Sequence, residues 1–167
     1  MLNQLNITGK GYFITDNYSG IMNLLSLLTY TTSLIYLLFA IYVLYLNRKN
    51  ILVIDDEPVI RELANDMLNH LGFNAFTASG SKEGLEIIKK NLDISSKIEA
   101  VILDLHLKDD LDAISILKMI KLIDKDIRVI ICSGSSRDPF LTRYLEYGFY
   151  KALLKPFNLN DLNNALK

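Results

Sequence analysis

This 167-residue sequence has a single cysteine and a net charge close to zero. Cys132 is the single cysteine, so no disulfide can form within the chain, and a reducing compartment is the simpler expectation. The formal net charge is -1 and the pI is near 6.1, so nothing in the overall charge points to binding of nucleic acid. The sequence also has no internal repeat and no low-complexity tract, so a repeat architecture is not indicated.

Charge is missing altogether from residues 17–47. Residues 50–167, by contrast, carry 15 Lys or Arg and 18 Asp or Glu. The composition therefore changes near residue 48. A chain of this length has room for one ordinary domain and a short appendage, but not for two full domains.

The uncharged stretch at residues 21–46 predicts one transmembrane helix. A helix rises about 1.5 Å per residue and the hydrocarbon core of a bilayer is roughly 30 Å thick, so about 20 residues suffice to span it. Hydroxyl residues weaken the apolar character of the first half, but their side chains can bond back to carbonyls of the helix. These residues are Ser26, Thr29 and the run at 31–33.

Basic residues beside this segment predict its orientation. Arg48 and Lys49 follow it directly, whereas Lys10 alone precedes it, so the positive-inside rule places the C-terminal part in the cytoplasm. Residues 1–20 then form a short extracytoplasmic tail of a single-pass membrane protein. Two alternatives are a cleaved signal peptide, against which the missing small-residue cleavage site argues, and a buried core helix, which the following domain does not require.

Short apolar runs alternate with segments of helical periodicity from Ile51 onward. Each run is too apolar for a strand with one solvent face, which is typical of strands that are covered on both faces. Between the first two runs, apolar residues recur at helical spacing from Pro58 to Gly72, and these two residues suit the start and the stop of a helix. Five strands alternating with five helices predict an α/β fold with a parallel sheet and right-handed crossovers. The predicted strands are 51–54, 74–77, 100–103, 129–132 and 152–154, and the other helices are 81–91, 113–123, 139–147 and 159–166.

Polar residues follow four of these strands at the points where the strands end. In an open parallel sheet, the loops after the carboxyl ends of the strands form the crevice in which ligands bind, so these residues are expected to converge. Clustered carboxylates repel one another unless a cation binds them, and hard oxygen ligands suit Mg²⁺. The set comprises three acids after the first strand and one residue after each of the third, fourth and fifth: Asp55, Asp56, Glu57, Asp104, Ser133 and Lys155.

Phosphoryl transfer is the chemistry that such a set indicates. A carboxylate beside a metal ion can attack a phosphoryl group and form an aspartyl phosphate. Lys155 would supply positive charge to the phosphoryl oxygens, and Ser133 would donate a hydrogen bond to another of them.

Four segments of the chain resemble a known family. They read ILVIDDEP at 51–58, VILDL at 101–105, VIICSG at 129–134 and LLKPF at 153–157. In this order they resemble the response-regulator receiver family, and the resemblance spans residues 50–167. It implies a doubly wound, five-stranded parallel sheet of the flavodoxin-like receiver type, with strand order 2-1-3-4-5.

The resemblance also implies roles for the acidic residues. Asp104 would be the phosphoacceptor. Asp55, Asp56 and Asp104 would hold Mg²⁺ as the cofactor, together with the backbone carbonyl of His106.

The remaining implications concern the switch and the partners. Ser133 would be the switch hydroxyl and Lys155 the lysine that contacts the phosphoryl group. The phosphoryl donor would be a histidine kinase or a phosphotransfer protein, and a downstream protein is a further possible partner. A receiver acts on itself in phosphorylation and dephosphorylation and is not a conventional enzyme. With no output domain recognised after the receiver, control of transcription by this chain itself is not expected.

Three positions depart from the family pattern and leave other functions open. Lys108 stands where the family usually has proline, Ala113 stands where glycine is customary, and Ala152 stands where the family has its aromatic switch residue. A membrane-tethered pseudo-receiver that docks a partner without turning over phosphate is therefore the alternative. A Mg²⁺ phosphohydrolase of the haloacid-dehalogenase kind is less favoured, because its D-x-D motif would need an acid where His106 stands.

Overall fold

The computed structural model describes residues 11–46, 48–93 and 96–167. It divides into two compact units, with the boundary between Leu46 and Asn47. The first ten residues of the predicted tail lie outside the described residues.

The first unit contributes one long helix, α1, which spans Gly11–Leu46. The predicted helix over 21–46 lies within it, but α1 begins ten residues earlier, so the second half of the predicted tail is helical. Hydroxyl groups in the first half of the apolar segment donate hydrogen bonds to backbone carbonyls three residues back, at 2.7–3.0 Å. These bonds explain how the segment remains helical and apolar despite its polar residues: Ser26, Thr29, Thr31 and Thr32.

The second unit is a five-stranded parallel sheet with helices on both faces. The strand order is β2-β1-β3-β4-β5, which confirms the predicted 2-1-3-4-5 order of the doubly wound α/β fold. The strands are β1 (Asn50–Ile54), β2 (Asn74–Ala78), β3 (Ile98–Asp104), β4 (Arg128–Ser133) and β5 (Lys151–Leu154). The helices are α2 (Pro58–His70), α3 (Ser81–Lys90), α4 (Ala113–Ile123), α5 (Pro139–Thr142) and α6 (Leu159–Leu166).

Alternate residues of the strands supply two separate cores. Leu52 and Leu103 pack with buried residues of α3 and α4 on one face. Val53 and Ile102 pack with buried residues of α2 and α6 on the other face. Because both faces are covered, every residue of β1 is buried, as the unbroken apolar runs indicate. This two-sided burial fixes the sheet and therefore the edge on which the polar residues lie.

The predicted helix over 139–147 is wrong in its extent. Only Pro139–Thr142 is α-helical, and the chain then turns through three-residue hydrogen bonds, from the Glu146 N–H to the Arg143 carbonyl and from the Gly148 N–H to the Leu145 carbonyl. Gly148 has φ +91°, a conformation that favours glycine, and it returns the backbone toward β5. The apolar spacing of this segment suits successive turns as well as a helix.

Candidate functional site

The polar residues after the strands lie together at one edge of the sheet. Asp104 is the last residue of β3 and Ser133 the last residue of β4, while Asp55 and Lys155 directly follow β1 and β5. Parallel register aligns these ends, since Asp104 lies opposite Cys132 and Ser133 lies opposite Leu154. The parallel topology thus brings four loops to one crevice.

Lys155 is the centre of the ionic contacts in this crevice. Its Nζ lies 2.6 Å from Oδ2 of Asp55 and 3.0 Å from Oδ1 of Asp104, with Oε1 of Glu57 farther away at 4.0 Å. Burial alone would lower the pKa of Lys155, but the hydrogen bonds and charges of Asp55 and Asp104 outweigh it and raise the pKa above its usual value. Lys155 is therefore a fixed positive charge between two buried carboxylates.

Three carboxylates form a cluster suited to a divalent cation. One oxygen from each of Asp55, Asp56 and Asp104 lies within 4.8 Å of the others; Asp55 and Asp104 are buried, and Asp56 is partly exposed. Carboxylate oxygens on the rim of an open crevice match the hard, oxygen-rich coordination that Mg²⁺ prefers. The residues present therefore fit this ion, and they are the three carboxylates that the sequence predicted as its ligands.

His106 lies two residues beyond Asp104, in the turn that leaves β3. Its side chain is largely exposed and Nε2 lies 3.4 Å from Oδ2 of Asp138, so the imidazole is directed to the β4–α5 loop. The predicted metal contact uses the backbone carbonyl of His106 and remains a prediction.

Ser133 is fully buried at the end of β4. Its Oγ accepts a hydrogen bond from the Ser135 N–H at 3.3 Å, and its carbonyl accepts one from the Lys155 N–H at 2.8 Å. The backbone of Ser133 is thus joined to that of Lys155, so a shift of the β4–α5 loop would also displace the backbone at the end of β5. Its role as a switch hydroxyl remains a prediction.

A second lysine reaches the acidic cluster, and the sequence did not predict this contact. Nζ of Lys108 lies 2.8 Å from Oδ2 of Asp56. The hydrogen bond from Lys108 holds the pKa of Asp56 below its usual value, and the same bond raises the pKa of Lys108. The signal in the sequence was a lysine four residues after Asp104 in an unusually charged loop, but the partner of this lysine depends on the path of that loop.

Comparison with known proteins identifies the family. The model of the response regulator receiver domain matches residues 51–167. Sporulation initiation phosphotransferase F of Bacillus subtilis is 33% identical over 119 residues, which cover 71% of this chain and 91% of the relative. Both the acid-rich loop after β1 and the lysine after β5 lie within the matched region.

Solved structures agree with this result. A response regulator receiver domain protein from Clostridium thermocellum is 34% identical with a TM-score of 0.62, covering 71% of this chain and 94% of that chain. The response regulator protein TrrA from Thermotoga maritima, solved in complex with Mg²⁺-BeF, is 27% identical with a TM-score of 0.57, covering 71% and 96%. With a matching sheet order, a matching family model and relatives that it covers almost completely, this chain belongs to the response regulator receiver domain family.

Proposed function

We propose that this protein is a membrane-anchored response regulator that accepts a phosphoryl group on Asp104 in a Mg²⁺-dependent phosphorelay. The donor is a histidine kinase or a phosphotransfer protein, and the receiver unit lies in the cytoplasm. This proposal combines the family membership of residues 51–167 with the geometry of the crevice and the character of α1.

The contact between Lys155 and Asp104 supports Asp104 as the acceptor most strongly. Asp104 is buried, its Oδ1 lies 3.0 Å from the Lys155 ammonium, and it closes the cluster with Asp55 and Asp56. A buried carboxylate at this position would repel an incoming phosphoryl group unless positive charge accompanied it. Lys155 provides one such charge from a side chain that is only 12% exposed.

The proposed reaction is an in-line displacement at phosphorus. A carboxylate oxygen of Asp104 forms a P–O bond while the P–N bond of the phosphohistidine donor breaks, and the electron pair leaves with the imidazole nitrogen. The Lys155 ammonium and the Ser133 hydroxyl would hold the transferred phosphoryl oxygens. When bound by Asp55, Asp56 and Asp104, Mg²⁺ supplies additional positive charge to these oxygens. The product is an acyl phosphate on Asp104.

Helix α1 supports the membrane anchor by its length and composition. Its apolar window, Tyr18–Val43, has 26 residues and none of them is buried within the structure. At about 1.5 Å per residue the window exceeds a hydrocarbon core of roughly 30 Å. A long, predominantly apolar helical segment without charged residues is favoured in an apolar environment, and a bilayer supplies one.

The chemistry is tested by incubating the full chain, in detergent micelles, with acetyl phosphate and Mg²⁺ and recording the intact mass. We expect a hydroxylamine-labile adduct of one phosphoryl group, which EDTA prevents. Asp104→Asn should abolish this adduct because the nucleophile is lost. Asp110→Asn is the matched control, since it removes the same charge from an exposed position of the loop that follows β3. An undiminished adduct on Asp104→Asn would show that another carboxylate is the acceptor.

A pseudo-receiver that only docks a partner is the second candidate. The Lys108–Asp56 ion pair favours it, because Lys108 pairs with one of the carboxylates that would hold the metal ion. A receiver that does not use a metal ion would lose nothing by this pairing. Under this alternative, the full chain would form no adduct at any Mg²⁺ concentration.

A further inference from the structure

The loop that carries Lys108 is anchored by hydrogen bonds to the start of α3 and to the start of α4. Oδ2 of Asp109 accepts a hydrogen bond from the Ser81 N–H at 2.6 Å, at the start of α3. Oδ1 of Asp112 accepts one from the Ser115 N–H at 2.6 Å, at the start of α4. The backbone beside Lys108 is therefore held in place, and the ammonium group is directed to Asp56 rather than trailing freely in solvent.

Two ammonium groups offset part of the negative charge of the crevice without any metal ion. Lys155 pairs with Asp55 and Asp104 and lies 4.0 Å from Glu57, and Lys108 pairs with Asp56. The two lysines differ in exposure, since the Lys155 side chain is 12% exposed and the Lys108 side chain is 84% exposed. Lys108 is thus the ammonium group that can leave the cluster at low cost.

We propose that Lys108 is a built-in competitor of the divalent cation at Asp56 and thereby lowers the metal affinity of this receiver. The inference rests on the proposed function, because it assumes that the carboxylate cluster takes a divalent ion. The Lys108 ammonium lies 2.8 Å from Oδ2 of Asp56, one of the two oxygens that this carboxylate could offer to the ion, and its charge repels a cation at the same carboxylate.

A cation could displace the Lys108 ammonium from Asp56 by movement of the lysine side chain alone. Lys108 has a flexible four-carbon stem, and its head group can turn into solvent while Asp109 keeps its bond to Ser81. An exposed ion pair is weak, so the competition is modest and falls as salt rises. Removing Lys108 should tighten divalent metal binding by roughly two- to fivefold, which corresponds to the loss of one such pair.

The test measures metal binding directly on the full chain in detergent, with Mn²⁺ as the probe and the electron paramagnetic resonance signal of free Mn²⁺ as the readout. Lys108→Met should tighten binding, whereas Lys108→Arg, which keeps the charge, should remain near the unaltered chain. Lys82→Met is the matched control, because it removes the same charge from an exposed residue in the first turn of α3 that forms none of the described ion pairs with the three carboxylates. The gain from Lys108→Met should disappear in an Asp56→Asn background, since the competed oxygen is then changed.

The outcomes separate this inference from the proposed function. If Mn²⁺ binds and Asp56→Asn weakens binding, but Lys108→Met behaves like Lys82→Met, the competition is refuted and the metal site stands. If the unaltered chain and Lys108→Met both fail to bind Mn²⁺, the metal site and the competition both fail. Phosphorylation gives a second readout: Lys108→Met should be faster than the unaltered chain at low Mg²⁺ and equal to it at saturating Mg²⁺. A difference that persists at saturation would mean that Lys108 acts on the phosphoryl group instead.

Discussion

At the scale of single residues, Gly84 determines how closely α3 approaches the sheet. A Cβ atom added to Gly84 would lie 2.5 Å from Cδ1 and 3.0 Å from Cγ1 of Ile54. Ile54 is fully buried at the end of β1 and immediately precedes Asp55. The absence of a side chain at position 84 therefore lets α3 pack against the strand end that carries the acidic loop.

Gly84→Ala should consequently destabilise the receiver unit, although alanine is the better helix former by about 1 kcal/mol. Overpacking against a buried isoleucine costs typically about 1–3 kcal/mol, so the net change in the free energy of unfolding should be unfavourable. Urea denaturation of residues 48–167, followed by circular dichroism, measures it. Gly134→Ala is the control, because a Cβ atom there meets nothing within 4 Å. A more stable Gly84→Ala variant would contradict the close packing.

At the scale of elements, the sequence predicted the features that depend on local residue pattern. It missed the features that depend on the three-dimensional path of the chain. The central strands β1, β3 and β4 followed from short apolar runs, because both of their faces are buried and apolar residues do not alternate with polar ones; the edge strands β2 and β5 are only partly buried. The convergence of Asp104 and Lys155 followed from parallel topology alone. The short α5 and the Lys108–Asp56 pair did not follow, because turns share the spacing of a helix and an ion pair across loops depends on their three-dimensional course.

The elements around β5 also bear on how phosphorylation would be transmitted. Ala152 has no ring to move, and the two aromatic residues before β5 make contacts of their own. Phe149 is 2% exposed in the core, and the Tyr150 hydroxyl donates a hydrogen bond to the Lys167 carbonyl at 3.0 Å. A ligand shifts a conformational equilibrium only by its differential affinity for the two states, so a small structural difference gives weak coupling.

We therefore expect a beryllofluoride mimic of the phosphoryl group to change amide chemical shifts mainly in residues 133–137. Changes over α5 and α6 should be small in the unaltered chain. Ala152→Tyr supplies the missing ring beside a groove of about 500 Å³ that Ala152, Leu154 and Ala165 help to line, and it should enlarge those changes. Large shifts across α5 and α6 without the substitution would show that another element carries the switch.

At the scale of the whole molecule, the chain joins a charged receiver, whose central strands are covered on both faces, to a long apolar helix. Large apolar side chains of α1, such as Leu28, Ile35 and Phe39, are more than half exposed. The receiver, by contrast, buries its apolar residues in two cores of its own. This difference in exposed apolar surface is the physical reason for the proposal that α1 lies in a bilayer and the receiver in water.

The orientation of the chain in the membrane can be tested with two added cysteines, since the native thiol is expected to be unreactive. Cys132 is 1% exposed, and burial raises its pKa to about 12, so it should not react in the folded receiver. In intact cells, a membrane-impermeant maleimide should label Thr8→Cys but not Asn160→Cys, because Arg48 and Lys49 favour a cytoplasmic receiver. Permeabilised cells should label both, and the unaltered chain neither. Labelling of Asn160→Cys in intact cells would show that the orientation is the opposite of the one proposed.

Carbonate extraction tests the anchor itself. Recovery of the protein in the soluble fraction would show that α1 does not anchor it, because a spanning helix is held by the transfer free energy of about 20 apolar residues.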